Sequence, residues 1–261
     1  MTGQLVRIES PAEGVRYLIL DDPATRNSLS DDLLDELLAA LEAVRGEDDI
    51  RVVVITSSHD RTFSSGGNLK AFGDERSTVE KYAALDRFPR LYTLLGELEK
   101  PVICAANGDV LAGAFGLALA CDLVIAKESA RFGCPEINVG VFPFMISALI
   151  YRNIDRMKAN ELMMTGELVS AAEGAAMGFV NRVVADADFD SAALDLARTI
   201  AAKSPLLMRL GKQAINETRD MALGQALSTL RARLALAFST DDMREGVTAF
   251  REKRDPTWTL R

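Results

Sequence analysis

The 261-residue sequence predicts an α/β fold built on a buried sheet. Short apolar runs alternate with helix-patterned segments, two successive strand-like runs each lead into a glycine-containing loop, and the chain beyond Phe142 is mostly helix-patterned. Such alternation is the pattern of strands joined by helical crossovers.

The elements follow in order. "LVRIE" and "VRYLIL" read as strands that end in the turn signal "DDPATRNS". Ser30 or Asp31 caps a helix through about Val44, because Leu33, Leu34, Leu37, Leu38 and Leu41 recur at helical spacing and Gly46 stops the run. "RVVVITS", from Arg51, is a β-branched run and hence a buried strand, leading into "SHDRTFSSGGNLKAF". A helix is expected from about Thr78 to Glu99. "KPVICAANG" repeats the strand-to-glycine-loop arrangement, the Gly- and Ala-rich stretch from Asn107 to Asp122 carries the next helix, and "CDLVIA" and "ARFGCPEINVG" supply a third and a fourth strand. After Phe142 come the helical "ALIYRNI", "RMKANELMMTG" and "SAAEGAAMG", the strand "FVNRVV", and a long run from Asp188 to Phe250 in which Ser204-Pro205 starts a helix. No Pro-, Gly- or Ser-rich linker divides the chain, so one domain is expected over 1–261, with an α/β core to about 195 and a helical part from about 196.

Composition narrows the function. A chain of this length buries about 70 to 75% of its unfolded surface and needs no disulfide staples. Cys104, Cys121 and Cys134 are widely spaced among apolar neighbours, which suits buried reduced thiols rather than a bridge or a zinc site. "MTGQLVRIES" lacks a basic segment followed by an apolar run, and no stretch near 18 apolar residues occurs, so a cytoplasmic protein that does not enter the membrane is expected. The 38 acidic residues outnumber the 30 basic ones, which argues against a nucleic-acid surface. The single histidine, His59, lies in the polar run "TSSHDRTF" and reads as a solvated loop residue, which disfavours a Ser-His-Asp mechanism.

The two glycine loops carry the functional signal. In "FSSGGNLKAF", Gly66 and Gly67 let backbone N–H groups approach a ligand with no Cβ in the way; a tight turn before a helix begun by Asn68 is the other use the spacing allows. Neither loop has the spacing of a P-loop or of a dinucleotide-binding turn. In "NGDVLAGAFGLALACD", Gly113 falls where a helix begins, so its N–H lacks an intrahelical partner, although small residues there also serve close helix packing. Two such N–H groups converging on one carbonyl oxygen would form an oxyanion hole, each donor worth about 3 to 4 kcal/mol as negative charge builds.

The chain resembles the enoyl-CoA hydratase/isomerase family of the crotonase superfamily over essentially its whole length. The likeness rests on "RNSLS", "FSSGGNLKAF", "KPVICAANGDVLAGAFGLALACDLVIA", "ARFGCPEINVGVFP", "LMMTGELVSAAEGAAMGFVNRVV" and "FREKRDPTW", which stand in the family's order. The resemblance implies a ClpP/crotonase fold, with a repeated ββα spiral core and a helical C-terminal trimerisation region. It implies that the N–H groups of Gly67 and Gly113 hold the thioester oxygen of an acyl-CoA and stabilise an enolate. Ser65, Asn68, Leu69 and Lys70, with the backbone near Arg26, would line the nucleotide and pantetheine path. Phe250 and Lys253 match the family's C-terminal Phe-x-x-Lys, which reaches CoA on a neighbouring subunit, so homotrimers, commonly paired into hexamers, are implied. Coenzyme A is part of the substrate, and neither a metal nor a separate cofactor is implied.

Three departures qualify the likeness. Family hydratases usually carry two glutamates; the first position, three residues after Gly113, is Gly116, while the second is Glu136, whose setting in "PEINVGVF" predicts a raised pKa and a role as the proton-transferring base. Asn68 replaces a common Asp, and "FPFMISALIYR" replaces a Gly-rich segment and is expected to reshape the acyl pocket. One carboxylate suits double-bond migration, which needs a single base, but hydration survives if Asp109 or an ordered water serves in place of the missing group. Decarboxylation of a malonyl- or glutaconyl-type thioester is a further alternative, as is a non-catalytic acyl-CoA-binding scaffold. A peptidase of the related Clp type would need Ser64 or Ser65 beside a histidine, and His59 is only a few residues upstream on the same polar run.

Overall fold

The computed structural model describes residues 4–68 and 75–260. Strands β1 (Val6–Ala12) and β2 (Val15–Leu20) pair antiparallel, and α1 (Asp31–Arg45) follows, with Ser30 Oγ accepting from the Leu33 amide as its cap. Then come β3 (Val52–Ser57), β4 (Thr62–Ser64), α2 (Thr78–Ala84) and α3 (Arg87–Glu97). The same order recurs in β5 (Val102–Ala106), β6 (Asp109–Leu111) and α4 (Gly113–Ala120), and begins again with β7 (Leu123–Lys127) and β8 (Arg131–Gly133). Next are α5 (Phe144–Asn153), α6 (Arg156–Thr165), β9 (Val169–Ser170), α7 (Ala171–Ala176) and β10 (Arg182–Val184), then the helices α8 (Phe189–Ala201), α9 (Pro205–Thr218), α10 (Leu223–Phe238) and α11 (Asp241–Glu252).

The strand pairs β3/β4, β5/β6 and β7/β8 split between two sheets. The first member of each joins a six-stranded sheet in the order β1-β2-β3-β5-β7-β10, and the second joins a four-stranded sheet in the order β4-β6-β8-β9. Pairing is parallel except for β1 with β2 and β8 with β9. This repeated ββα order, climbing from one turn to the next, is the spiral core that the family resemblance implies.

The unbroken apolar run of β3 has a simple cause. Val53 and Ile55 enter the core shared with α1, whereas Val52 and Val54 face the opposite layer, where Phe189, Ala193, Leu196 and Ala197 of α8 cover the sheet. A strand covered on both faces has no solvent side to mark with polar residues.

Several expectations are refined by the fold. The helix expected from Thr78 to Glu99 is two, broken at Leu85 and Asp86: α2 buries no side chain, while α3 buries Leu91, Leu94 and Leu95 against the core. "ARFGCPEINVG" pairs as a strand only over β8, because Pro135, with no amide to extend a ladder, opens a 3-10 turn over Pro135–Val139. The run from Asp188 to Phe250 is four helices, with Ser204 capping α9 at Pro205 as expected. The three cysteines are free thiols, Cys104 and Cys134 fully buried. Among the described residues no helix is long and apolar enough to cross a membrane.

Candidate active site

The first glycine loop is held from below by a buried polar network. Arg26 and Asn27 both adopt left-handed backbone, with φ of 58° and 52°. That twist turns the fully buried Asn27 side chain inward, where Nδ2 donates to Ser57 Oγ at 2.6 Å and to the Phe63 carbonyl at 3.1 Å, and Oδ1 accepts from the Asp22 amide at 2.7 Å. Ser64 Oγ donates to the Asn27 carbonyl at 2.6 Å and accepts from the Gly66 amide at 3.2 Å. The Leu29 amide donates to the Gly66 carbonyl at 2.8 Å, and the Ser65 amide to the Arg26 carbonyl at 3.0 Å. Gly66 itself has φ of +86°, where an L-residue is strained. The loop is thus fixed on both sides before any ligand arrives.

The second loop leaves β6 through Ala112, whose φ of 54° and ψ of −129° are uncommon for a residue with a Cβ. Such a conformation costs about 1 to 3 kcal/mol and persists only where neighbours enforce it; here the Ala112 amide donates to the Gly133 carbonyl at 2.9 Å. The turn delivers Gly113 as the first residue of α4.

The two loops touch. A Cβ placed on Gly66 would lie 2.5 Å from Ala112 Cβ and 2.6 Å from the Leu111 carbonyl oxygen, so Gly66 must lack one. The next residue of each loop faces one aromatic ring: Cβ positions at Gly67 and Gly113 would come within 3.8 Å and 2.8 Å of Phe88. Among the described residues neither the Gly67 nor the Gly113 amide has a hydrogen-bond partner. Unpartnered backbone donors, the second with the positive end of a helix behind it, are the kind of group that an oxygen carrying negative charge requires.

Glu136 stands in the 3-10 turn after β8, whose last residue holds Ala112. Burial pushes its carboxyl up to about 7, against a smaller lowering by its own backbone amide, and its Oε2 is buried with no hydrogen-bond partner among the described residues. Its negative form is felt nearby: burial, with Glu136 adding, raises the Cys134 thiol to about 12 and holds the Tyr92 phenol far above its ordinary value. Tyr92 donates from its hydroxyl to the Gly113 carbonyl at 2.8 Å, linking the glutamate side of the site to the helix start.

Gly116 is not beside open space. A Cβ there would meet Ile146 Cγ2 at 2.5 Å, Tyr92 Oη at 2.7 Å and Tyr92 Cζ at 2.9 Å. Ile146 comes from the "FPFMISALIYR" segment, whose helix α5 buries Ile146 and Ile150 while Phe144, Met145 and Tyr151 stay exposed.

The other sequence candidates fall into three groups. Arg26 is exposed on the rim of the first loop and Ser65 donates to the Thr25 carbonyl at 3.2 Å, while Asn68 is half-buried and its expected helix, with Leu69 and Lys70, lies outside the described residues. Phe250, 86% exposed, and Lys253 are at the end of α11, which packs on α9 and α10 rather than beside the glycine loops. Asp109 is engaged elsewhere, its carboxylate paired with Arg131 through contacts of 3.1 and 2.5 Å. His59 Nδ1 accepts from the Arg61 and Thr62 amides, and the Ser64 hydroxyl is committed to Asn27, so among the described residues no Ser–His couple forms. Sequence reasoning missed Phe88 and Tyr92. Their one available signal was an aromatic pair at i and i+4 on an amphipathic helix, which core packing also produces.

This architecture and its site geometry define a crotonase-type protein. The family model for enoyl-CoA hydratase/isomerase matches residues 10–261, and the chain belongs to that family. It is 36% identical over 251 residues to a 2,3-dehydroadipyl-CoA hydratase of Escherichia coli, covering 95% of this chain and 96% of that one. It is 34% identical over 245 residues to a crotonyl-CoA hydratase of Syntrophomonas wolfei, covering 93% of each. Among solved structures, an enoyl-CoA hydratase from Bacillus anthracis superposes with a TM-score of 0.94 at 31% identity, over 99% of this chain and all of that one.

Proposed function

We propose that the protein is an acyl-CoA enzyme of the enoyl-CoA hydratase or isomerase type, working through an enolate held by the Gly67 and Gly113 amides, with Glu136 moving the proton. The observation that carries this reading is the pair of unpartnered amides on two touching loops, with Glu136, its carboxyl raised by burial, on the adjoining turn. A thioester oxygen bound by the two amides gains charge as the α-carbon is deprotonated, so the donors stabilise the enolate more than the ground state. A carboxyl titrating at about 7 both takes and returns a proton at neutral pH. In double-bond migration it removes the C2 proton of a 3-enoyl-CoA and returns it to C4, whereas in hydration it takes a proton from water and gives one to C2. No separate cofactor or metal enters either step, since coenzyme A arrives with the substrate.

Ser65, Asn68, Leu69 and Lys70, with the Arg26 backbone, serve the CoA path in this reading, and Phe250 and Lys253 act from a neighbouring subunit. Assembly as a homotrimer or hexamer is supported by α10, which buries no side chain and exposes Leu223, Leu227, Leu230, Leu234 and Phe238 along one stripe. The reading places the protein in the cytoplasm.

The experiment incubates wild-type protein and E136Q with a 2-enoyl-CoA and a 3-enoyl-CoA, and follows deuterium exchange at C2 in heavy water. E136Q is expected to lose turnover and exchange by at least about 100-fold. Unchanged turnover in E136Q removes Glu136 from the mechanism, and CoA-ester binding with neither turnover nor exchange in the wild type makes the protein a binding scaffold.

A further inference from the structure

The two glycine loops meet across α3. One carbon of that helix, Phe88 Cζ, lies 3.8 Å from the Cβ position at Gly67 and 3.4 Å from that at Gly113, so a single ring tip borders both residues. Leu29 joins them a second time: its backbone forms a parallel bridge with Gly67, and its Cδ1 lies 3.6 Å from the Gly113 Cβ position. Leu29 is buried and Phe88 half-buried, so this spacer is packed in place. Gly113 needs such support more than most residues do. A glycine has the widest choice of φ and ψ, and the ends of helices fray, so nothing intrinsic to the residue fixes where its N–H points. No side chain caps α4, and Ala112, just before it, is held in its strained turn through the Gly133 carbonyl. On the other side of Gly113 the hold comes from Tyr92, whose Oη donates to the Gly113 carbonyl at 2.8 Å. Tyr92 lies one turn along α3 from Phe88, with ring centroids 6.2 Å apart, and Leu91, Leu94 and Leu95 root that helix in the core. Gly113 is thus pinned at both of its peptides, which removes the freedom that its missing Cβ would otherwise give.

We propose that α3 splints the oxyanion hole, Phe88 fixing the spacing of the two glycine loops and Tyr92 fixing the direction of the Gly113 N–H. Both are positioning residues: Tyr92 acts through the Gly113 carbonyl, and Phe88 through the two glycines it borders. The proposal rests on the reading given above, in which the Gly67 and Gly113 amides grip the thioester oxygen, and adds the side chains that keep those amides aimed. Donors already in place stabilise charge without reorganising, and a misplacement of about 1 Å can cost about 100-fold in rate. Loss of the splint therefore slows hydration, double-bond migration and C2 exchange alike, since each passes through the enolate. The pH dependence, which the base sets, stays where it was.

The test reads the grip on the oxygen directly. trans,trans-2,4-Hexadienoyl-CoA is a conjugated thioester whose absorption moves to longer wavelength as its carbonyl is polarised, so the spectrum of the bound ligand reports on the donors. It is recorded for wild type, Y92F, F88L and L196A, the last a core truncation beneath α8 on the far layer of the large sheet, with thermal unfolding of each. Y92F and F88L are expected to lose at least about half of the wild-type red shift and about 10- to 100-fold in kcat, with KM within about threefold and the midpoint of the pH–rate profile unmoved. L196A is expected to lose stability and keep the red shift. A full red shift in Y92F or in F88L overturns the splint while leaving the proposed function standing, and so does an equal loss in L196A, because general loosening would then account for all three. A wild type that binds the thioester with no red shift overturns the oxyanion-hole reading and the splint together. Should Y92F and F88L fail to fold, a crystal structure of the wild type with this thioester bound decides: Tyr92 Oη is expected on the Gly113 carbonyl and Phe88 against both glycines, and a bound site in which either contact has parted overturns the assignment.

Discussion

Replacing Glu136 by Gln tests the electrostatics of the site without any substrate. The carboxyl is raised by burial from an ordinary 4.5 to about 7, so between those values the folded protein holds a proton that the unfolded chain has released. Stability must therefore fall as pH rises through that window, and the penalty is complete above about 7. At about 1.4 kcal/mol for each tenfold change in proton affinity, the ionised Glu136 costs the wild type about 3 kcal/mol at pH 8. Gln has the shape of the neutral acid and never ionises. Urea denaturation of wild type and E136Q at pH 4.5, 6 and 8, at one protomer concentration, should show near-equal stability at the lowest pH and E136Q ahead by about 3 kcal/mol at the highest. Parallel stability curves for the two proteins would falsify the claim that burial is what tunes this carboxyl. The gain would come with lost turnover, so the site holds a charge at a cost to the fold.

The same value sets the rate profile: if the carboxylate is the base, turnover should rise about tenfold between pH 6 and pH 8 and level off above, and a profile flat over that range would exclude Glu136 as the titrating group. Gly66→Ala combines a φ of +86° with a Cβ 2.5 Å from Ala112 Cβ, and should cost about 3 kcal/mol in chemical denaturation while separating the two loops and lowering turnover beyond the fraction unfolded; a fully active, stable variant would mean the loops do not bear on one another. Asp109→Asn breaks an ion pair whose arginine is 56% exposed, and should shift stability by less than about 1 kcal/mol and hydration less than twofold, whereas a tenfold loss of hydration would place Asp109 in the chemistry.

What the sequence reveals depends on whether one segment carries the information alone. The helix α1 is legible because Ser30 caps it and five leucines repeat at the period of a helix, and β3 because a strand buried on both faces must be apolar throughout. Gly67, Gly113 and Glu136 were singled out through family blocks, each in a short local pattern. The four-stranded sheet was not, since strands of two or three residues leave no periodicity to read. The break at Leu85 and Asp86 escaped for a different reason: α2 has no buried face, so nothing in its pattern sets it apart from the packed α3 that follows. Phe88 and Tyr92 became visible only once α3 was laid across α4, because their spacing serves an ordinary core equally well.

Gly116 shows why a position judged alone misleads. In the sequence it reads as the place of an absent carboxylate; in the fold a Cβ there would run into the phenol of Tyr92 and the Cγ2 methyl of Ile146. A glycine inside a helix costs about 0.5 to 1 kcal/mol relative to alanine, and here it lets two bulky side chains from α3 and α5 close onto α4. Placing glutamate at 116 by itself would drive its Cβ into Tyr92 and Ile146, an overpacking worth about 1 to 3 kcal/mol before the buried charge is counted. Trimming Tyr92 by itself would leave a hollow and remove its hydrogen bond to the Gly113 carbonyl, also destabilising. Position 116 and the side chains of Tyr92 and Ile146 are therefore coupled across three helices, and a change at either has meaning only with its partner.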